Sequence, residues 1–411
     1  MRCLWVTWID PFPEYDGQRI YSGRMIEATA NAGAEIDVLC FERNRAPCRI
    51  GPRHSNPSIN WWLVPRQVRP AWRSTFSTLP HIAHRSGTSS MKAGLCALLQ
   101  ERRWDGIVLD GLYTGWALPL LDAADRGGAG RPRRIYISHN HEETTRGLIA
   151  DNYAGNVLVR AALRHDAHKA ARLERQMVDR ADIVTAVTME DARHFSSSSP
   201  QKPILVLSPG YAGRRVEQRD IGRETPRRAL LVGSFEWFAK QMNLKEFLAI
   251  ADPIFAAAGI EMQIVGNGEA AFFDSLRRDL KATEIVGPVK DINPYLEQAR
   301  LAIIPERTGG GFKLKMLDYI FNRVPIAALD QAIAGLPLMP DESVLAFPHQ
   351  EELAAGVVGV MDDLDRLNRL QERAFSICAN AFDWAGRGRR LMAALSSGPD
   401  RAGSRPLGAL S

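Results

Sequence analysis

The stretch from Ile303 to Ala328, IIPERTGGGFKLKMLDYIFNRVPIAA, gathers residue types suited to holding a phosphorylated ligand. Gly309, Gly310 and Gly311 lack side chains, so the backbone there can adopt positive φ and come close to a bound group. The pattern predicts a helix from about Phe312, whose free N–H groups and positive dipole end would face the glycine loop and favour an anion. Lys315 stands in its first turn, and Asp318 follows three residues later on the same face. That face offers a cation to a phosphate and a carboxylate to hydroxyl groups. Leu314, Leu317, Ile320 and Phe321 take the other face and pack it on a sheet. Without further context Lys315 is an ordinary solvated first-turn lysine.

The elements that must position these residues read as an alternation of strands and helices. Cys3–Ile9, Glu35–Phe41, Trp104–Gly111, Arg133–Asn140, Ala181–Val187 and Pro203–Gly210 are apolar strands, and a helix is expected over Val157–Arg180. Such βαβ order requires parallel sheets, which bind ligands at the carboxyl edge. Between Ser208 and Arg228 the composition turns to Pro, Gly and charge, and the alternation then restarts at RALLVGS, so the domain boundary falls there. The expected fold class is α/β, with two Rossmann-like doubly wound domains. The last stretch, from Ser396 to Ser411, is Ser/Gly/Pro/Arg-rich and reads as a disordered tail.

Composition bounds the function. The chain of 411 residues carries 52 Lys and Arg against 47 Asp and Glu, a net charge of +5, so the distribution of charge matters more than its sum. From Arg43 to Arg103 basic residues dominate, with Trp61, Trp62, Trp72 and Phe76 among them and Glu101 as the acidic exception. This pattern suits an anionic membrane or a nucleic-acid backbone, and equally a solvated face over core tryptophans. Five scattered cysteines without a CxxC pair argue against disulfides and cysteine zinc sites and fit a cytoplasmic setting. The N-terminal apolar run ends at Asp10, too short for a signal-peptide core, and no run approaches the ~18 apolar residues of a membrane span.

Other motifs admit rival chemistry. Gly266–Asn267–Gly268 follows a strand as in nicotinamide dehydrogenases, but the next strand ends in Gly287 and Pro288 rather than in an acidic residue, so a loop glycine pair is the better reading. His139 and His141 alternate at a strand end with no third metal ligand nearby. Asp363–Leu364–Asp365 spells a manganese motif within a polar, helix-like stretch, where a solvated helix start is the simpler account.

Taken together, several stretches resemble the retaining nucleotide-sugar glycosyltransferases of the two-Rossmann (GT-B) type, family 4. They are the Pro305–Pro325 pattern, LLVGSFEW (Leu230–Trp237), VGNGE (Val265–Glu269), GPVKDINPYLEQARLAIIP (Gly287–Pro305), SHNHE (Ser138–Glu142) and ERQMVDRADIVTAVT (Glu174–Thr188). FDWAGRGRRL (Phe382–Leu391) looks like the closing helix that crosses back to the N-terminal domain. The resemblance implies an acceptor domain over residues 1–208 plus 381–395 and a donor domain over 209–380, facing each other across a cleft. It implies a nucleotide diphosphate held by Gly309, Gly310, Gly311 and the helix start at Phe312, with Lys315 on the phosphates and Asp318 on the ribose. Val265, Gly266 and the neighbouring loop would face the base, Gly233 would also line the donor site, and Arg307 and Lys240 would add phosphate charge. His139 matches the histidine placed near the donor sugar, and the Asp16–Gly17 loop would face phosphate and acceptor. Two positions depart from the family pattern: Asp318 replaces a glutamate, and Gly310 replaces a sugar-facing glutamate.

The implied activity is glycosyl transfer with retention, by front-face attack guided by the leaving phosphate, with no protein nucleophile, no cofactor and no metal. The acceptor would be lipid-linked or a polysaccharide, at the inner face of a membrane, and nucleic acid is not an expected partner. A non-catalytic nucleotide-sugar or glycan-binding relative is the alternative that Asp318 and Gly310 motivate. A sugar-nucleotide 2-epimerase would want a cluster of carboxylates and histidines that the sequence does not offer.

Overall fold

The computed structural model describes residues 1–14, 16–43, 56–67, 69–126, 131–153, 155–236, 238–307 and 312–396. All of the expected tail beyond Ser396, the basic residues Arg45, Arg49 and Arg53, and the glycine loop Gly309, Gly310 and Gly311 therefore lie outside the described residues. The chain divides into two compact units, one of Met1–Glu14, Gln18–Leu207 and Trp384–Ser411, the other of Tyr15–Gly17 and Ser208–Asp383.

The first unit carries strands β1 (Arg2–Ile9), β2 (Glu35–Phe41), β3 (Ile59–Val64), β4 (Gly106–Asp110), β5 (Arg133–Ile137), β6 (Ile183–Ala186) and β7 (Ile204–Val206). They pair in parallel in the order β3-β2-β1-β4-β5-β6-β7. The second unit carries β8 (Arg228–Val232), β9 (Glu261–Val265), β10 (Thr283–Gly287), β11 (Leu301–Ile304), β12 (Ile326–Leu329) and β13 (Leu345–Phe347), all parallel, in the order β10-β9-β8-β11-β12-β13. Both are doubly wound sheets, as the alternation predicts. Helices cover both faces, so central strands such as β1, β4 and β11 are buried runs rather than alternating ones. In each unit the chain reverses direction of travel across the sheet beside the first strand, between β1 and β4 and between β8 and β11. Doubly wound sheets open a ligand crevice at that switch point.

Several local expectations shift. The helix expected from Phe312 starts at Lys315 and runs to Phe321, because Phe312 is drawn aside against Phe382, with ring centroids 5.8 Å apart. The helix that follows β8 runs from Phe238 to Ala258. Strand β3, INWWLV, is unheralded within the basic segment because it is an edge strand whose side chains are largely exposed, so no buried pattern marks it. Its Trp62 indole donates to Asp37 Oδ1 at 2.7 Å. The helix Trp384–Ser396 packs within the first unit, and a Cβ on its Gly388 would lie 2.1 Å from the Ala28 carbonyl oxygen. Only glycine permits that approach of two helix backbones.

Candidate active site

In the first unit the switch point is occupied by a short polar network. Asp110, the last residue of β4, is fully buried, and a buried carboxylate must be paired. Both oxygens are used. The Trp5 indole N–H from β1 donates to Oδ2 at 3.0 Å, and Oδ1 lies 2.7 Å from His139 Nε2. His139 stands two residues beyond β5, which lets it fold back over the end of its neighbour β4. Aromatic rings confine it: Tyr21 meets it edge-on at 5.5 Å, Tyr113 stacks at 6.4 Å, and the Tyr113 hydroxyl lies 3.5 Å from Nε2.

An ionised Asp110 can only accept, so His139 Nε2 carries the proton and, in the neutral ring, Nδ1 keeps its lone pair. Nδ1 makes no hydrogen bond among the described residues. The ring is 12% exposed, enough to present that one acceptor. His141 takes no part: its Nδ1 caps the helix Glu142–Asp151 through Thr144, and its ring stacks on His194 at 5.0 Å. The start of that helix is also tied down by buried Glu174, which accepts from the Glu142 and Glu143 backbone N–H groups and from the Tyr136 hydroxyl. Burial, with the nearby Glu142 charge, raises the Glu174 carboxyl to about 8.

In the second unit the switch point is charged. Beyond β11, the Pro305 carbonyl accepts from Gln350 and the Arg307 N–H donates to Asn243 Oδ1 at 3.0 Å, which fixes the backbone on either side of Glu306. Glu306 is buried; one carboxylate oxygen bonds Lys315 Nζ and the other, Oε2, has no hydrogen-bond partner among the described residues. Burial opposes ionisation of Glu306, but Lys315, with Lys313 and Lys240, outweighs it and holds the carboxyl below its ordinary range. Lys240 is depressed by burial first and by Lys315 second. The Arg307 side chain is exposed. Three lysines thus surround one carboxylate.

Beside this cluster, Gly233 follows β8 and Gly266 follows β9. Gly266 has φ +141°, and a Cβ there would fall 1.7 Å from the Gly233 carbonyl oxygen. The Gly266–Gly268 turn also receives the Phe235 N–H on the Asn267 carbonyl at 2.6 Å. These glycines therefore bring two strand ends together behind Val265. The helix Lys315–Phe321 is pinned to β8 by the Tyr319 hydroxyl, which accepts from the Val232 N–H at 2.7 Å. Asp318 on that helix is pushed up to about 6 by burial, partly offset by a hydrogen bond from Tyr211. Asp363 caps the helix Leu364–Cys378, as a solvated helix start would. Among the described residues no three His, Cys, Asp or Glu side chains converge as a metal set.

The structure thus groups Lys240, Lys315, Phe312, Asp318, Gly233, Val265 and Gly266 in one unit and His139 in the other, and Asp16 and Gly17 count with the second unit at the entry to the helix Gly17–Asn31. Sequence reasoning missed Asp110, Glu306 and Tyr211. Asp110 was legible as the polar end of GIVLD; Glu306 and Tyr211 carry no motif.

Comparison with known proteins decides the class. Residues 16–210 match the glycosyl transferase 4-like domain, and residues 226–363 match the glycosyl transferases group 1 domain. The chain belongs to the glycosyltransferases. No curated protein sequence matches it significantly. Among solved structures, this glycosyltransferase is similar to the sucrose-phosphate synthase of Thermosynechococcus elongatus, with 17% identity, 95% of this chain and 97% of that one covered, and a TM-score of 0.67. It is similar to Anabaena HepE in complex with UDP and glucose at 12% identity, with 96% and 99% covered and a TM-score of 0.64. It is also similar to WaaG, a glycosyltransferase involved in lipopolysaccharide biosynthesis, at 15% identity, with 96% and 100% covered and a TM-score of 0.64. These likenesses establish the GT-B fold of two Rossmann-like domains.

Proposed function

We propose that this glycosyltransferase moves a hexosyl unit from a nucleoside-diphosphate sugar to a lipid-linked or polysaccharide acceptor at the inner face of a membrane, with retention of configuration. The observation that carries the reading is the buried Lys315–Glu306 pair with Lys240 beside it, at the switch point of the second sheet: a buried, lysine-rich site. Cleavage of the sugar–diphosphate bond develops negative charge on the leaving phosphate, and preplaced cations stabilise it without reorganising. Lys315 and Lys240 would take the distal phosphate, with Arg307 at the rim and the Gly309–Gly311 backbone and Phe312 completing the cradle. Asp318 would accept from the ribose hydroxyls, and the Gly233–Val265–Gly266 surface would border the base.

His139 Nδ1 would accept a hydroxyl proton from the donor sugar, while Asp16 and Gly17 lie toward the acceptor. No protein nucleophile is assigned, which suits front-face attack, and the lysines would stabilise the leaving phosphate without a metal. That HepE structures hold UDP and glucose, and that a TarM structure holds UDP, makes uridine the first base to test. Calorimetric titration against UDP-, GDP- and ADP-sugars tests the proposal. Binding of one series, with sugar transfer on membrane extracts, supports it. No binding sinks it, binding without turnover leaves a non-catalytic relative, and binding of reduced nicotinamide cofactors instead would replace it with a dehydrogenase.

A further inference from the structure

The helix Val157–Arg180 is longer than the layer it belongs to. It ends just before β6 at the amino edge of the first sheet, while its Leu173 already touches Gly115, in the turn that follows the carboxyl end of β4. The sixteen residues from Leu173 back to Val157 therefore carry it about 24 Å beyond that edge at ~1.5 Å per residue. Two segments brace the projection. Buried Lys169 donates to the Ser74 and Ser77 carbonyls at 2.8 and 3.0 Å, anchoring the 3-10 turn Ala71–Phe76, and the helix Glu142–Asp151 packs alongside through Arg146–Asp166 and Arg164–Asp151.

Exposed apolar side chains recur along this projection. Trp72 is 63% exposed, Phe76 85%, Val157 65% and Leu158 79%, and Leu148 and Val159 are exposed beside them. Six of the ten exposed large hydrophobic residues among the described ones lie here. Single exposed apolar side chains need no explanation, but a cluster does. The surrounding charge has one sign: from Arg66 to Gln100 the sequence holds no acidic residue, and none occurs from Asn152 to His165. Asp151 and Asp166, which flank the cluster, are each paired with an arginine. Arg73 lies over the Trp72 ring at 5.5 Å, so cation and aromatic face outward together.

We infer that this projecting tip is a membrane-docking surface that inserts Trp72, Phe76 and Leu158 into the interface of an anionic lipid bilayer, with Arg66, Arg69, Arg73 and Arg160 on the headgroups. Exposed aromatics bury well at that boundary, and each basic residue near an anionic surface adds attraction. The surface lies at the same carboxyl edge as His139, so docking would set the first unit's acceptor-facing edge toward the lipid. That last step rests on the transferase reading; the docking itself does not.

The test uses the full chain pelleted with vesicles of mixed phosphatidylglycerol and phosphatidylcholine or of phosphatidylcholine alone, at low and high salt. The wild type should pellet with the anionic vesicles and leave them as salt rises. The triple variant Trp72→Ser, Phe76→Ser, Leu158→Ser should pellet about tenfold less while keeping its melting temperature and its calorimetric response to nucleotide sugars. Equal pelleting of wild type and variant, or no wild-type pelleting with anionic vesicles, overturns the inference. So does light scattering that shows a wild-type dimer which the variant converts to monomer, because a second copy would then be what covers the tip. Loss of nucleotide-sugar binding by both proteins with vesicle binding intact would overturn the function and leave this surface standing.

Discussion

The two candidate sites occupy equivalent places in two similar sheets, yet their electrostatics differ. Both oxygens of Asp110 are matched: Trp5 takes one and His139 takes the other, which leaves Nδ1 of His139 free to accept among the described residues. Around Glu306 cations gather instead, with Lys315, Lys313 and Lys240 all acting on one buried carboxylate whose Oε2 has no hydrogen-bond partner among the described residues. A matched buried network holds a geometry, whereas a mismatched one awaits a ligand that completes it. We expect the first unit to position a neutral group and the second to receive an anion.

The sharpest way to break that contrast is Lys315→Ala. It leaves Glu306 charged and buried without its bonded partner, which should cost about 3 kcal/mol or more of folding stability. It should also weaken nucleoside diphosphate binding roughly tenfold or more, as loss of a charge-assisted hydrogen bond does, and weaken nucleoside monophosphate binding less. The double variant Lys315→Ala, Glu306→Gln separates the two effects: melting temperature should recover while diphosphate affinity stays low. Recovery of affinity along with stability would show that Lys315 serves only to neutralise Glu306.

Much of this molecule was legible in its sequence, for identifiable reasons. Buried parallel strands such as LAII and RALLV are short apolar runs bounded by polar ends, and their alternation with helices dictated two doubly wound sheets. Lys315 and Asp318 were visible because a helix repeats its faces every three to four residues. Glu306 was not, because its pairing with Lys315 spans nine positions and follows neither helix nor strand periodicity. Asp110 and His139 meet through a pairing of β4 with β5, twenty-nine residues apart, which strand periodicity does not report. The edge strand β3 and the exposed Trp72 were hidden for the opposite reason: their apolar residues face outward, so composition alone read them as either core or surface.

A middle-sized effect should follow from Asp110→Asn. The Trp5 indole N–H requires an oxygen, so the asparagine must turn its amide N–H₂ toward His139. His139 Nε2 then has to accept, and the proton moves to Nδ1, converting the outward acceptor into a donor. We expect turnover to fall roughly ten- to hundredfold, the range of a misplaced acid–base or hydrogen-bonding group, with nucleotide affinity unchanged because Asp110 and the lysine cluster belong to different units. Nitrogen NMR of the histidine ring checks the cause, since it reports an Nε2–H tautomer in the wild type and an Nδ1–H tautomer in the variant. An Nδ1–H ring in the wild type would remove His139 as an acceptor.

The smallest effect sharpens the contrast inside the second site, where Asp318 differs from Glu306 in having no cation to hold it ionised. Burial raises its carboxyl from 3.8 to about 6. Because the folded value lies above the unfolded one, the protonated form supports the fold, and that contribution is lost as pH rises through about 6. Ribose hydroxyls would donate to the ionised form and favour it, so nucleotide binding should release a proton near that pH. Affinity should then be about tenfold weaker at pH 5 than at pH 7, the fraction ionised at one unit below the carboxyl's value. Asp318→Asn should flatten this dependence, bind a few-fold more weakly at pH 7, and melt at a higher temperature than the wild type at pH 7 but not at pH 4. Calorimetry at the two pH values, in buffers of different ionisation enthalpy, reads both the affinity and the released proton. If wild-type affinity does not change with pH, Asp318 does not meet the ribose, and the recognition of the nucleotide falls to the lysines and the strand-end glycines alone.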